Sequence, residues 1–506
     1  DFLEVFIDDP AVRAIGLHIE GLQDVARFER AALKALSKGI PVVALKTGSS
    51  AIGSELTVSH TGSLSGAAEL FEALFARTGV ISVTNPSQFL ETLKFLCVAG
   101  APKGTGVVGF TCSGGGATML ADHAEKIGLG FPPVDPAQHT QIAALLPDIA
   151  TVSNPLDYTT PIWGQGEQTY PVFAQTIAAT AADTAVLVQD YPAPGLDASK
   201  QYYQQDAAAF ARAAKEHGVP AAVCATLPEN MDVATRELLV AEGIAPMQGI
   251  HEALNAIAQA ALWAQARERI ARTEPMPLWP HRIIGATAML TEDKGKLWLA
   301  KHGIAVPRGR AVSGPQVCGA AKEVGYPVAL KMMSPQLAHK TDAGAVVLNL
   351  AGSHALSAAT VQMSTDVKAY NLQAVSDLFL VEEMSPPPLA ELVVTLRRDP
   401  HFGAALVLGS GGILVELVGD VVTLLLPASP LDIVDALQSL RVAGLLSGFR
   451  GRMKADMNKI ADQIHHLCRA FIEDGADVAE IEINPLFVYP DHICAVDVLM
   501  QQAVDA

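Results

Sequence analysis

The chain has 506 residues, a length that predicts roughly three to four domains, and half of its residues are hydrophobic. With 35 Lys and Arg residues against 53 Asp and Glu residues, the formal net charge is -18, and the sequence has no basic run. This balance excludes a protein that binds the phosphate backbone of nucleic acids, and the absence of an apolar run of about 18 residues argues against a membrane span.

The cysteines are scattered, with no Cys-x-x-Cys pair that would suggest a zinc site, and no signal peptide opens the chain. Free buried thiols in a reducing cytoplasm explain this pattern better than a disulfide framework does. The chain begins at Asp1 without a methionine, in sequence typical of a strand, so we expect a fragment or a processed product whose upstream part is missing. The cysteines are Cys97, Cys112, Cys224, Cys318, Cys468 and Cys494.

Apolar strand patterns alternate with helix-like periodicity from residue 1 to about residue 98. This alternation predicts a doubly wound parallel sheet, in which ligands bind at the carboxyl ends of the strands. The strands are predicted at 14–19 and 41–46, and the helices at 24–38 and 67–78.

A histidine within residues 55–66 is the first candidate for chemistry. His60 is surrounded by small, hydroxyl-bearing and glycine residues, which let a loop move, and imidazole is a nucleophile that can carry a transferable group. Glu20, at the end of a predicted strand, could hold one imidazole nitrogen and fix the tautomer. The alternatives are a solvated loop histidine that caps a helix, and a glutamate that only precedes a glycine turn.

A second α/β unit begins near Thr105. Its first buried strand, at 107–111, is followed by Ser113-Gly114-Gly115-Gly116 and by an amphipathic helix from about Ala117. The backbone N–H groups and the dipole at such a helix start favour an anion, although a glycine turn can also serve only to let a strand turn tightly into a helix. Further elements are predicted as a helix at 143–146, strands at 184–189 and 221–225, a helix at 252–269 and a linker at about 270–282.

The last part of the chain, from about residue 285, changes character. Lys331 ends a predicted buried strand, where a lysine is costly unless it meets an anion, so it is a candidate phosphate contact. A strand over 379–384 ends in acidic residues before three prolines, and its backbone could bind the edge of an adenine. Asn484 and Asp497 offer the hard oxygen ligands that Mg²⁺ prefers. Each feature taken singly is also compatible with a structural role.

Together these segments resemble the NDP-forming (ADP-forming) acyl-CoA synthetases, which are relatives of succinyl-CoA synthetase. Residues 59–64 resemble their phosphohistidine loop, and the runs His339-Lys340-Thr341-Asp342 and Glu482-Ile483-Asn484-Pro485 resemble their ATP-grasp domain. The likeness covers essentially the whole chain in family order. It implies an α/β protein with two flavodoxin-like doubly wound parallel-sheet domains followed by an ATP-grasp domain.

The resemblance also implies the domain bounds. A CoA-ligase domain with the phosphohistidine loop takes residues 1–100, a second flavodoxin-like domain takes 101–272, and a linker at 273–286 leads into an ATP-grasp domain at 287–506. Members with this domain order usually begin with a CoA-binding Rossmann domain; for this chain we expect that domain to have been cut off, to be disordered or to lie on a separate chain.

The implied activity is the ligation of a carboxylic acid to CoA in a three-step relay. ATP phosphorylates a histidine, the acid takes the phosphoryl group as an acyl phosphate, and the CoA thiol then attacks. The implied roles are His60 as phosphohistidine, Glu20 as its orienting carboxylate, His339 as a second relay histidine, Glu482 as a partner of His60, Lys331 on the ATP phosphates, Glu382, Glu383 and Met384 at the adenine, Asn484 and Asp497 on Mg²⁺, and the Ser113–Gly116 helix start as receiver of the phosphohistidine.

The acid and the partners are less constrained. Asn154, Asp157, Tyr158 and Trp163 form an aromatic-bearing loop that could line an acyl pocket, for an aryl or a cationic acid, or Trp163 fills a domain interface. Small-molecule substrates, a homodimer and a cytoplasmic location are expected. The rival interpretations on the same scaffold are a protein lysine acetyltransferase-like regulator and a non-catalytic CoA or nucleotide sensor.

Overall fold

The structure is a computed structural model, and it describes residues 2–48, 68–192, 198–273, 275–279, 284–337, 339–411 and 419–504. The chain divides into two compact units. The N-terminal unit comprises Asp1–Gln23, Arg27–Gly66 and Phe75–Glu274, and the C-terminal unit comprises Asp24–Ala26, Ala67–Leu74 and Pro275–Ala506. None of the helices in the described ranges combines the length and the apolar character that crossing a bilayer requires.

The first elements are α1 (Phe2–Ile7), β1 (Ile15–Ile19), α2 (Val25–Ser37), β2 (Val42–Lys46), α3 (Ala68–Thr78), β3 (Ile81–Val83) and α4 (Pro86–Val98). The three strands pair in parallel in the order β1-β2-β3, as the alternating pattern predicts. Asn85 begins α4, because its side chain accepts a hydrogen bond from the backbone N–H of Gln88, and Pro86 suits the first helical turn.

The next elements are β4 (Val107–Thr111), α5 (Gly114–Ile127), α6 (His139–Ala143), β5 (Leu156–Asp157), α7 (Gly166–Ala179), β6 (Thr184–Val188), α8 (Lys200–His217), β7 (Ala221–Ala225), α9 (Val233–Ala241), β8 (Ala245–Gln248) and α10 (Ile250–Thr273). The strands form a five-stranded parallel sheet in the order β5-β4-β6-β7-β8. This is the flavodoxin-like order, whose direction reverses between β4 and β6, and ligands of such sheets bind beyond the carboxyl ends of these strands.

The two parallel sheets of the N-terminal unit share one hydrophobic core. Val43 and Ile81 from the first sheet belong to the same cluster of buried side chains as Val186 and Ala222 from the second. Helices α4 and α10 supply further members of this cluster. Because burial of apolar surface contributes roughly 25 cal/mol per Å², each sheet is stabilised by surface that the other sheet helps to cover.

The C-terminal unit has the following elements, in chain order: β9 (Thr287–Met289), α11 (Glu292–Lys301), β10 (Gly309–Ser313), α12 (Val317–Val324), β11 (Val328–Met332), β12 (Val346–Leu350), α13 (Ser353–Tyr370), β13 (Leu378–Glu383), β14 (Ala390–Asp399), β15 (Gly403–Ser410), β16 (Val421–Leu425), α14 (Pro430–Ser439), α15 (Ala443–Leu446), α16 (Met457–Glu473), β17 (Val478–Val488), β18 (Ile493–Ala495) and β19 (Val498–Ala503). A four-stranded antiparallel sheet has the order β10-β13-β11-β12. A seven-stranded antiparallel sheet has the order β16-β15-β14-β17-β19-β9, and β18 pairs with β17.

Two predicted elements differ from the structure. The start of the chain is the helix α1 rather than a strand, because Leu3 and Ile7 follow the helical spacing of four residues and a short apolar run alone does not distinguish the two. The helix predicted at 143–146 lies earlier, at α6, where Asp135 and Pro136 start a 3₁₀ turn that leads into it. The other strand and helix predictions agree with the structure to within a few residues.

Candidate functional site

A cavity of about 260 Å³ in the C-terminal unit gathers most of the polar residues that the sequence singles out there. His339, Glu482, Asn484 and Asp497, which come from distant parts of the sequence, all line it. Among the described residues, the lining is His339, Lys340, Thr341, Asp342, Glu482, Asn484, Asp497, Val498 and Leu499. Imidazole, carboxylate, amide and ammonium groups therefore face one space, which suits a phosphate-bearing ligand with a metal ion.

The strand order of the larger sheet places these side chains. Glu482 and Asn484 lie two residues apart on β17, so their side chains point to the same face of the sheet. Asp497 precedes β19, which pairs with β17 in a register that sets Ile483 opposite Val498. His339 lies in the loop between β11 and β12. The two predicted Mg²⁺ ligands, Asn484 and Asp497, therefore lie next to the paired residues Ile483 and Val498.

A buried network of charges adjoins the cavity. The Nζ atom of Lys331 lies 2.6 Å from Oε1 of Glu292 and 3.2 Å from Oε2 of Glu382, and it donates a hydrogen bond of 2.8 Å to the carbonyl of Val496. The anion that Lys331 meets is thus a pair of carboxylates. Lys296 completes this part of the network, at 2.8 Å from Glu292 and 2.5 Å from Glu382.

Lys340 extends the network to the cavity. Its Nζ atom lies 2.9 Å from Oε2 of Glu292 and donates a hydrogen bond of 2.7 Å to Oδ1 of Asp497. Three ammonium groups thus balance the three carboxylates of Glu292, Glu382 and Asp497. A carboxylate placed this far inside a protein persists because lysines surround it.

The pKa values follow from this balance. Burial favours the neutral acid, but the charges of Lys331, Lys296 and Lys340 outweigh it and hold the pKa of Glu292 below its ordinary value. Burial would lower the pKa of Lys331, yet Glu292, Glu382 and Asp497 raise it above the ordinary lysine value. At the cavity the pKa of Glu482 shifts in the opposite direction to that of Glu292: burial and the neighbouring carboxylates of Glu480 and Asp497 raise it.

The predicted adenine hinge forms the end of a strand. Strand β13 ends at Glu383, and Met384 follows it, as the sequence predicts. The side chain of Glu382 is buried on Lys296, with both carboxylate oxygens within 2.7 Å of the ammonium. Glu383 instead pairs with Arg308: its backbone N–H donates to the carbonyl of Arg308, and its side-chain Oε1 accepts a hydrogen bond from the N–H of Arg308. Glu383 and Met384 stay predicted contacts of the adenine, whereas the side chain of Glu382 is buried in the charge network.

In the N-terminal unit, the predicted anion site has the expected local structure. Ser113 is the N-cap of α5, and its hydroxyl accepts a hydrogen bond from the backbone N–H of Gly116. Gly114 and Gly115 form the first turn, in which unpaired N–H groups favour an anion. The site stands at the carboxyl end of β4, where the strand order of this sheet reverses.

His60, the predicted phosphohistidine, lies outside the described residues. Its predicted partner Glu20 follows β1 and is exposed. The Glu20 carboxylate acts on Lys46, at the end of β2, where it opposes the lowering of the pKa of Lys46 by burial. Glu20 therefore stands at the carboxyl edge of the first sheet, as the sequence predicts.

The four residues of the predicted acyl loop separate in the structure. Asn154 is used structurally, because its side chain accepts from the N–H of Gly109 and donates to the carbonyls of Val107 and Pro132. Asp157 ends β5 and accepts a hydrogen bond from the N–H of Thr159, which has a positive φ of 63°. Backbone strain of this kind in a residue other than glycine is typical of functional loops.

The aromatic residues of that loop pack inside their own domain. Tyr158 is fully buried, and its hydroxyl donates to Oδ2 of Asp206, so the prediction that Tyr158 lines an acyl pocket does not fit this position. Its ring belongs to the core because the side chain after β5 points into the sheet's covered face. Trp163 packs against Tyr202 and Tyr203, at centroid distances of 5.4 and 4.7 Å.

Asp206 leads to a prediction about stability. Its buried carboxylate accepts hydrogen bonds from Tyr158, the N–H of Gly164 and Thr169, and burial raises its pKa above the ordinary 3.8. Asp206→Ala should cost about 2–3 kcal/mol, because three buried donors lose their acceptor. A group with a raised folded pKa stabilises most below its unfolded pKa, so this cost should shrink as the pH rises through the folded value.

Urea unfolding at a series of pH values, with wild type and variant compared at each pH, measures this cost. Glu216→Ala, an exposed carboxylate on the same helix α8, is the matched control and should show neither effect. A cost that grows with pH would contradict the assignment.

Four of these residues escape sequence analysis: Glu292, Lys296, Lys340 and Asp206. The spacing of four residues between Glu292 and Lys296 at a helix start was the available signal for that pair. Lys340 follows His339, a predicted site residue, but the sequence alone does not distinguish Lys340 from an exposed lysine. Its contacts in the structure do. No pattern in the sequence marks Asp206.

Comparison with known proteins places these sites in a family. Residues 1–96 match the succinyl-CoA ligase like flavodoxin domain, and residues 284–501 match an ATP-grasp domain. The beta subunit of ADP-forming acetate–CoA ligase II of Pyrococcus furiosus is 33% identical over 207 residues, which are 40% of this chain and 86% of that subunit. The chain belongs to the family of ADP-forming acyl-CoA ligases. The predicted resemblance and fold class are thereby confirmed.

Longer relatives of this ligase family align with nearly the whole chain. A trans-feruloyl-CoA synthase from an unknown prokaryotic organism is 27% identical over 99% of this chain and 70% of its own length. ADP-forming acetate–CoA ligase I of Archaeoglobus fulgidus is 28% identical over 99% of this chain and 71% of its own length. Among solved structures, an acetyl-coenzyme A synthetase of Ca. Korarchaeum cryptofilum with bound coenzyme A is 33% identical, with a TM-score of 0.40, over 42% of this chain and 93% of that one.

Proposed function

We propose that this ligase joins a carboxylic acid to CoA, with conversion of ATP to ADP and phosphate, through a phosphohistidine at His60 and an acyl phosphate. The observation that carries the proposal is the single cavity that gathers His339, Glu482, Asn484 and Asp497 beside the Lys331 network. ATP and CoA are the co-substrates of this class of enzyme. The relatives described above are named as CoA ligases or synthases, which favours a ligase over a regulator or a sensor.

The nucleotide end of the reaction is assigned to the cavity. Asn484 and Asp497 supply oxygen ligands that fit Mg²⁺, which normally takes one or two protein carboxylates and leaves other positions to phosphates and water. No group of three His, Cys, Asp or Glu side chains in the described ranges is arranged to hold a metal without such help. When bound, the ion neutralises charge on the phosphates. Lys331 would reach the phosphates from the network, and Glu383 with Met384 would border the adenine.

The reaction then proceeds in three steps. An imidazole nitrogen of His60 attacks the γ-phosphorus of ATP, the bond to the bridging oxygen breaks, and ADP leaves. A carboxylate oxygen of the acid attacks the phosphohistidine, the P–N bond breaks, and an acyl phosphate forms. The CoA sulfur attacks the acyl carbon, and phosphate leaves with the electron pair of the C–O bond. The thiol proton is taken up by a base.

The residues around the imidazole position it during these steps. Glu482 lines the nucleotide cavity and would orient the ring by accepting a hydrogen bond from its second nitrogen, with His339 as the second relay histidine. At the acceptor end, the helix start at Ser113–Gly116 would hold the phosphoryl group with its N–H groups, and Glu20 would orient the ring. Phosphoryl transfer depends mainly on positioning and charge neutralisation, which both ends provide.

The identity of the carboxylic acid substrate is to be determined, and a panel of acids tests it. Relatives are named for ferulate, acetate and 4-hydroxybutyrate, so these acids sample aryl, short and hydroxylated substrates. With ATP, Mg²⁺ and CoA, one of them should give acid-dependent ADP and an acyl-CoA that mass spectrometry identifies. Because this chain spans about 70% of these longer relatives, the first half-reaction is measured separately.

That half-reaction needs no CoA. The chain should take up label from [γ-³²P]ATP, and the correct acid should remove the labelled phosphoryl group as an acyl phosphate. Hydroxylamine then attacks the acyl carbon, which gives a hydroxamate and releases labelled phosphate. ADP release that no acid changes, together with absence of labelled protein, would overturn the ligase assignment and favour a nucleotide sensor. A homodimer and a cytoplasmic location complete the proposal, and all six cysteines, which are free thiols, suit a reducing compartment.

A further inference from the structure

Lys340 holds an unusual position between the charge network and the cavity. It is 6% exposed, and within the described part of the chain its Nζ atom donates one hydrogen bond, to Oδ1 of Asp497. It also lies 2.9 Å from Oε2 of Glu292, and it lines the cavity. Lys340 is thus an ammonium with three N–H groups that bridges a buried carboxylate and the carboxylate at the cavity wall.

The atom that Lys340 binds is the one assigned to the metal. Asp497 is 26% exposed on the cavity side, whereas Glu292 and Glu382 are 2% exposed, so Asp497 is the network carboxylate that a ligand can reach. A cation at Oδ1 of Asp497 and the ammonium 2.7 Å from the same oxygen would repel each other strongly at this burial. A divalent ion therefore displaces Lys340 from Oδ1 when it binds there.

We propose that Lys340 acts as a stand-in cation: it neutralises Asp497 in the nucleotide-free enzyme, and it moves to the phosphates when a metal–nucleotide complex takes its place. This inference rests on the proposed function, since it needs the metal at Asp497. The exchange keeps the buried carboxylates neutralised in both states. It also makes metal and nucleotide binding interdependent, because only the nucleotide offers the displaced ammonium new anionic partners.

The test measures metal and nucleotide affinity separately on the full chain. Lys340→Gln should bind Mn²⁺ without nucleotide about tenfold or more tightly than wild type, as followed by the electron paramagnetic resonance of free Mn²⁺. The same variant should bind Mg·ADP more weakly in calorimetry, because the phosphates lose a cation. A lysine that only stabilises the fold would move both affinities downward, so opposite shifts distinguish the two roles.

Two variants serve as controls. Lys340→Arg keeps a cation at the position and should retain weak Mn²⁺ binding in the absence of nucleotide. Lys301→Gln removes an exposed lysine at the end of α11 and should change neither affinity. Unchanged or weaker Mn²⁺ binding by folded Lys340→Gln would overturn the inference.

Asp497→Asn separates this inference from the proposed function, and it serves as the second test if Lys340→Gln does not fold. It should abolish the dependence of nucleotide affinity on Mg²⁺, and it should tighten binding of ADP in EDTA, because Lys340 is released to the phosphates. Full Mg²⁺ dependence in Asp497→Asn would overturn the proposed metal site. Loss of Mg²⁺ dependence without tighter metal-free binding would overturn only the role of Lys340.

Discussion

A His60→Ala variant should take up no phosphate from ATP and should lose acyl-CoA formation by on the order of 10⁴-fold or more. The reason is that the imidazole is the covalent carrier of the phosphoryl group, and alanine leaves no nucleophile in its place. Incubation with [γ-³²P]ATP, followed by denaturing electrophoresis under alkaline conditions that preserve phosphohistidine, measures the label. Nucleotide binding should persist, because Asn484 and Asp497, which we assign to the metal–nucleotide complex, are unchanged.

His354→Ala is the matched control, since His354 is an exposed histidine near the start of α13. It should keep both the label and the turnover. Label that persists in His60→Ala and disappears in His339→Ala would contradict the assignment and make His339 the primary acceptor. Loss of label in both variants would place His339 on the path of the phosphoryl group to His60.

Glu292→Gln should destabilise the C-terminal unit by about 3–5 kcal/mol, because it leaves the buried ammonium groups of Lys296, Lys331 and Lys340 short of one shared counter-charge. The variant is nearly isosteric, so the cost is electrostatic rather than steric. Guanidinium unfolding measures it, with the emission of Trp298 on the same helix α11 as a local probe.

The pH dependence of this cost has a definite sign. The folded pKa of Glu292 is depressed, so its contribution is complete above the unfolded pKa and is lost as the pH falls through the folded value. The difference between variant and wild type should therefore be full at neutral pH and shrink only in strong acid. Glu323→Gln, which breaks an exposed ion pair with Arg310, should change little. A Glu292→Gln variant as stable as wild type would mean that the lysines find other partners.

Sequence analysis predicts the parts of this protein that depend on local periodicity. Alternating strands and helices, the glycine turn that starts α5 and the acidic end of β13 follow from propensities that act within a few residues. His339 and Glu482 were found through the resemblance of their motifs to the ATP-grasp domain, whereas Asn484 and Asp497 were also candidates because of their oxygen ligands.

Sequence analysis does not predict which side chains contact each other when they are far apart in the chain. Lys331 was predicted as a phosphate contact, but its buried carboxylate partner Glu292, 39 residues earlier in the chain, was not predicted. Tyr158 was placed in a loop that lines a pocket, but its hydroxyl satisfies the buried Asp206 from a distant helix. Both outcomes depend on which helix packs against which strand, and that is decided by the core as a whole rather than by neighbouring residues.

The common core of the two parallel sheets in the N-terminal unit has a bearing on how such ligases evolve. The border near residue 100 lies between two parallel sheets, but the sheets do not have separate hydrophobic cores. Helix α4, before the border, and helix α10, after it, contribute side chains to the same buried cluster. Gene fission or recombination at that border would expose apolar surface to solvent in both products. Breakpoints in this lineage should therefore be tolerated poorly at that border, although it divides two domains by topology.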